Sequence, residues 1–147
     1  MFVALDTNVL AYAEGAGDER RKQLARALLV RLPEDRTVLP VQVLGELYRV
    51  LIGKTKIGAA LAKEAVLRWS DVFQVRDSSW PAMRSALDLA QSHQIAIWDS
   101  LIICVAAENR CRVLLSEDMQ EGFSWSGVTV VNPFAERPHA LLEQLMA

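Results

Sequence analysis

Phe2-Val3-Ala4-Leu5-Asp6-Thr7-Asn8 opens the chain. Four apolar residues in an unbroken run are the pattern of a short strand covered on both faces, because a strand with one wet face would alternate. Asp6-Thr7-Asn8 then carries turn and helix-start chemistry. By itself Asp6 reads equally as a helix cap or an Asx turn. What gives it weight is that strand-then-helix returns along the chain.

Working outward, Thr37-Val38-Leu39 is a second short apolar run, stopped by Pro40, and Phe73-Gln74-Val75 a third. Arg112 to Leu115 and Val128 to Val131 supply two more. Helical spacing fills the intervals. A basic amphipathic helix is predicted over Glu19 to Leu32, with Leu24, Ala27, Leu28 and Leu32 on its apolar stripe and Pro33 and Asp35 closing it. Further helices are predicted over Val41 to Gly53, Gly58 to Ser70, Trp80 to His93 and Trp98 to Asn109, with a short last one over Pro138 to Met146. Short apolar strands alternating with helices predict an α/β fold, a parallel sheet of four to five strands between two helical layers. No repeat, low-complexity tract or composition break divides residues 1–147, which read as a single domain.

In such a sheet every carboxyl end lies on one edge, and ligands bind beyond that edge. Asp6 follows the first strand and Asp118 the fourth, after Leu115-Ser116-Glu117. Glu46 lies in the second turn of the helix after the second strand, and Asp99 at the head of the helix before the fourth. Glu46 shares a face with Val43 and Val50, and Asp99 with Ile102, Ile103 and Ala106. Carboxylates on apolar stripes are rarely buried unless paired or coordinated. Bland readings exist for each, Asp99 as an N-cap and Glu46 paired with Arg49. Four together at one edge, however, cannot all stay ionised without a cation. A hard divalent ion with oxygen ligands resolves the conflict, and such a site suits displacement at a phosphodiester.

At this point the motifs resemble those of PIN-domain nucleases. Val3-Ala4-Leu5-Asp6-Thr7-Asn8-Val9-Leu10 resembles the opening motif, and Val43-Leu44-Gly45-Glu46-Leu47 the second acidic position. Ile97-Trp98-Asp99-Ser100-Leu101-Ile102 is similar to the third and Leu115-Ser116-Glu117-Asp118 to the fourth. The length and the ending Val130-Val131-Asn132-Pro133-Phe134 are similar to stand-alone bacterial members that act as VapC-type toxins. The resemblance implies an α/β/α sandwich and Mg²⁺ or Mn²⁺ dependence. It also implies endonucleolytic cleavage of RNA, a homodimer and a cognate antitoxin protein. It makes Asp6, Glu46, Asp99 and Asp118 the catalytic, metal-holding acids, with Asn8 and Ser116 as polar helpers. Glu117 adjoins Asp118, and side-chain direction decides which of the two faces the metal; Asp118 is the expectation.

Composition is neutral about a nucleic-acid partner. Net charge is −2, but setting the four candidate ligands aside from the 18 acids leaves the 16 bases in slight excess. Arg49, Lys54 and Lys56 follow Glu46 closely and are candidates for RNA contact; Arg20, Arg21, Lys22, Arg26 and Arg31 form either a phosphate-binding or a merely solvated face. The four tryptophans read as core or interface residues, Trp98 beside Asp99 being the candidate for base stacking. Cys104 and Cys111 read as structural thiols of a reducing compartment. No secretory signal or membrane span is evident, so the expectation is a cytoplasmic protein. Two rival readings remain. An aspartate-based phosphatase would want a second Asp where Asn8 stands, and a non-catalytic binding module would have no reason to keep four acids.

Overall fold

A computed structural model describes residues 1–147. Strands β1 (Phe2–Leu5), β2 (Thr37–Pro40), β3 (Gln74–Arg76), β4 (Cys111–Leu115), β5 (Ser124–Trp125) and β6 (Val128–Val131) form one sheet in the order β3-β2-β1-β4-β6-β5. All neighbours are parallel except β5, which runs antiparallel to β6. Val3 to Leu5, all of β2 and most of β4 and β6 are buried, as their mostly apolar composition requires. The sheet therefore has six strands. The additional one is a two-residue edge turned back at Ser126-Gly127, both of which have positive φ.

The helices are α1 (Thr7–Ala13), α2 (Glu19–Leu29), α3 (Val41–Val50), α4 (Ala59–Val72), α5 (Trp80–His93), α6 (Ile97–Glu108) and α7 (Ala140–Met146). Right-handed crossovers place α1 to α4 on one face of the sheet and α5 and α6 on the other. Local chemistry sets the starts: Asp6, Asp18 and Ser79 cap α1, α2 and α5 through side-chain oxygens. α6 carries the longest buried run of any helix. Seven consecutive residues, Ser100 to Ala106, are buried, and it packs against β2, β4 and β6. No helix is long and apolar enough to cross a membrane.

Three boundaries differ from the sequence reading. α1 begins immediately after Asp6, where the sequence carries helix-start chemistry, although no helix span was assigned there. α2 stops at Leu29, three residues short, ahead of Pro33. α3 ends at Val50 and continues as one π-helical turn over Leu51–Thr55, closed at Lys56 with φ 57°. The order reverses between β1 and β4: from β1 the chain steps toward β2 and β3, then returns to β4 on β1's other side. That reversal point is where open parallel sheets place their ligands.

Candidate active site

Asp6 extends the ladder, its N–H donating to the Leu115 carbonyl at 3.0 Å. Its side chain is only 5% exposed and is fully engaged. Oδ1 accepts from the Thr7 N–H at 2.7 Å, and Oδ2 accepts from Ser116 Oγ at 2.6 Å and Asn8 Nδ2 at 3.2 Å. Burial pushes the Asp6 carboxyl up to about 6; the bonds from Ser116 and Thr7 oppose it, while Asp99 and Glu46 add repulsion. Asp6 is thus both a helix cap and a buried charge held by three donors. Asn8 donates to it, a role the second aspartate of a phosphatase could not fill.

Glu46 is half-buried on α3. Thr7 Oγ1 donates to Oε2 at 2.7 Å and Gln42 Nε2 to Oε1 at 2.8 Å. It does not pair with Arg49. Gln42 also donates to the Trp98 carbonyl at 3.3 Å, tying α3 to the head of α6, and its own Oε1 is a buried acceptor without a donor. Asp99 occupies the first turn of α6, where the helix dipole favours an acid, but it is not the cap; Ala96 holds that position. Burial raises the Asp99 carboxyl, and the charges of Glu46 and Asp118 raise it further. None of the molecule's four ion pairs involves Asp6, Glu46, Asp99 or Asp118.

Asp118 is exposed at the meeting of two clefts. One, of about 250 Å³, runs between Asp99 and Asp118 past Ile95 and Met119. The other, of about 230 Å³, holds Thr7, Asn8, Glu46 and Asp118, with Arg49 and Lys54 on its wall. A larger groove, of about 630 Å³, lies elsewhere, between α2 and α4, and contains none of these acids. We place the chemistry in the smaller clefts, because only there do unpaired carboxylates converge.

The neighbouring Glu117 turns away. Its carboxylate accepts from Arg21 Nε at 2.9 Å to each oxygen and from the Tyr12 hydroxyl, while its N–H donates to Asn8 Oδ1 at 3.2 Å. Of the candidate basic residues, Arg49 and Lys54 line the cleft that holds Glu46; Lys56 is exposed and lines neither cleft. Most of the basic residues between 20 and 31 are spent internally. Arg20 donates to the Phe134 carbonyl, Arg26 to Ala13, Arg31 to Met146, and Arg21 to Glu117. Sequence reasoning missed Thr7, Gln42 and Tyr12 as partners of the acids. Thr7 and Gln42 had a signal, each standing within one helical turn of an acid.

No three His, Cys, Asp or Glu side chains close on one point as a finished cation cage. The donor set nevertheless fits a hard cation. It is all carboxylate oxygen, mutually repelling and not neutralised by any ion pair, and magnesium needs only one or two carboxylates beside water and phosphate.

Residues 3–122 match the PIN domain family. No match is found among curated proteins. Among solved structures, FitAcB of Neisseria gonorrhoeae superposes with a TM-score of 0.67 at 20% identity, covering 90% of this chain and 99% of that one. VapBC2 of Rickettsia felis, bound to a DNA fragment of its promoter, gives 0.65 at 17% identity, covering 90% and 98%. VapC20 of Mycobacterium tuberculosis, a toxin that cleaves the sarcin–ricin loop, gives 0.64 at 22% identity, covering 76% and 86%. At these identities the likeness is one of fold. The match across residues 3–122, with an acid after β1 and another after β4 flanking the point where the strand order reverses, shows that the chain belongs to the PIN-domain family of nucleases.

Proposed function

We propose that this protein is a metal-dependent endoribonuclease that cuts RNA phosphodiester bonds, the cytoplasmic toxin of a toxin–antitoxin pair. One observation supports the reading: acids from four separate elements repel one another at one sheet edge, Asp6 with Asp99 and Glu46, and Asp99 with Glu46 and Asp118, and none of them is ion-paired. Asp6, Glu46, Asp99 and Asp118 are the residues that would hold Mg²⁺ or Mn²⁺. When bound, such an ion lowers the pKa of an attacking water and offsets charge on the phosphate.

The chain's own contribution is orientation. Ser116, Asn8 and the Thr7 N–H fix the Asp6 carboxylate, and Thr7 Oγ1 and Gln42 fix that of Glu46. Thr7 serves both acids, so their relative placement is set by one residue. Arg49 and Lys54 stand where a phosphate backbone entering the cleft would pass, and they contact it without sequence preference.

Partners follow from the same reading. The neighbouring structures include toxin–antitoxin complexes, such as one from Klebsiella pneumoniae. The groove between α2 and α4, lined by Leu29, Val30, Trp69 and Phe73 with Arg26 and Arg68, offers an antitoxin segment an apolar seat. Val41 and Tyr48 on α3 and Ile52 in the turn that continues it are exposed, as is Trp98, apolar surface suited to a second copy of the chain. The decisive test incubates the purified protein with a mixed RNA pool, with Mg²⁺ or Mn²⁺ and with chelator, beside Asp6→Asn. Cleavage that needs metal and is absent in the variant supports the reading; no cleavage by folded, inhibitor-free protein overturns it.

A further inference from the structure

The segment after β4 is pinned at nearly every residue. Ser116 donates its N–H to the Val131 carbonyl, and its Oγ lies between Asp6 Oδ2, Asn8 Nδ2 and the Met119 N–H. The Glu117 N–H is held by Asn8. Between Ser116 and Met119 only Asp118 is exposed, and its direction depends on how firmly its neighbours are fixed. The remaining anchor is the Glu117 side chain.

That anchor is built from distant elements. Arg21, on α2, presents Nε to both Glu117 oxygens at 2.9 Å and NH1 to Asp18 Oδ2 at 2.6 Å, while its guanidinium lies 5.9 Å over the Tyr12 ring. Tyr12, on α1, donates its hydroxyl to Glu117 and stands edge-on to Phe134 with ring centroids 5.2 Å apart. The Tyr12 phenol is raised by burial, by its bond to Glu117 and by the charges of Glu117 and Asp118, which places the Asp118 charge within its field. A partly exposed ion pair of this kind contributes little to global stability. Its geometry is nevertheless specific: a planar fork spans two carboxylates, and a lysine could not reproduce it.

We propose that Arg21 and Tyr12 are positioning residues for Asp118, acting through Glu117. By holding the Glu117 carboxylate on the α1–α2 side, they fix the backbone that presents Asp118 to the acidic cleft. They also keep the adjacent acid from competing with Asp118 for the cation. The inference rests on the metal-dependent reading of the site.

The test measures Mn²⁺ binding to chelator-treated protein by the loss of the free Mn²⁺ resonance signal, alongside thermal unfolding. Arg21→Met is expected to weaken Mn²⁺ binding roughly 10-fold, the low end for residues that orient metal ligands, with the unfolding midpoint nearly unchanged. Tyr12→Phe removes only the hydroxyl, and should show a smaller loss in the same direction. Arg21→Lys should restore part of the affinity lost in Arg21→Met. In an Asp118→Asn background Arg21→Met should have no further effect, because the coupled residue is already gone. Unchanged Mn²⁺ affinity in folded Arg21→Met and Tyr12→Phe would overturn the proposal while leaving the nuclease reading intact. An equal loss in the Asp118→Asn background would overturn it too, since the influence would then bypass Asp118. Absence of Mn²⁺ binding by the unaltered protein would instead remove the reading on which the proposal rests.

Discussion

Replacing Asp6 by Asn removes a buried charge while keeping its shape, and the consequence should change sign with pH. The Asp6 carboxyl stands at about 6 in the folded chain against an ordinary 3.8. A folded acid with a raised pKa binds protons that the unfolded chain has already released, so its effect on stability becomes more unfavourable as pH rises from near 4 to past 6, then levels off. The difference is worth about 3 kcal/mol above pH 7, at about 1.36 kcal/mol per unit. Asparagine escapes that penalty but loses hydrogen bonding. Its Oδ1 keeps the Thr7 N–H, and the Ser116 hydroxyl can turn to accept, but the Asn8 amide would meet another amide donor. That mismatch costs about 1–2 kcal/mol. The variant should therefore be more stable than the parent by about 1–2 kcal/mol at pH 8 and less stable near pH 4. For a chain of this size that is a midpoint shift of roughly 3–6 °C. Urea unfolding with chelator at pH 4, 6 and 8 reads it directly. A variant equally destabilised at all three values would refute the claim that Asp6 is held charged against its surroundings.

Three further outcomes follow from the same site and core. Millimolar Mg²⁺ or Mn²⁺ should raise the unfolding midpoint of the parent at pH 8, by the linkage that favours the binding state, and fail to do so for Asp99→Asn; equal shifts in both proteins would count against Asp99 as a ligand. Lys54→Ala with Lys56→Ala should weaken RNA binding and flatten its salt dependence, most of the effect coming from Lys54, which lines the cleft; filter binding at several salt concentrations would expose an unchanged slope. Burial pushes the Cys104 and Cys111 thiols up to about 11 and about 12, so a thiol reagent at pH 8 should label neither in the native protein and both in denaturant.

Where sequence reading succeeded, the relevant chemistry was local. β1, β2, β4 and β6 announced themselves as short, mostly apolar runs, and each acid could be placed by its distance from a run. α1 escaped because all of Thr7–Ala13 except Tyr12 is buried, so the segment lacks the polar face that makes a helix periodic. β5 escaped because two residues carry no pattern; its pairing with Thr129 and Val128 alone defines it. The arginines of α2 were read as a free basic face because their acceptors, Phe134, Met146 and Glu117, lie far along the chain. Glu117 and Asp118 could not be told apart from sequence for the same reason. What separates them is an arginine 96 residues away.

The bond from Ser116 to Asp6 joins positions 110 residues apart, and Asp6 directly follows β1. During synthesis β1 can pair with β2 well before its other neighbour, β4, emerges. Until it does, the first acid lacks both its hydroxyl donor and Asp118 across the cleft. Such long-range closure is slow relative to local folding. A nascent chain, or a truncated product ending before residue 116, therefore carries three of the acids without the geometry that joins them. The fold itself withholds the complete site until β4 has joined β1.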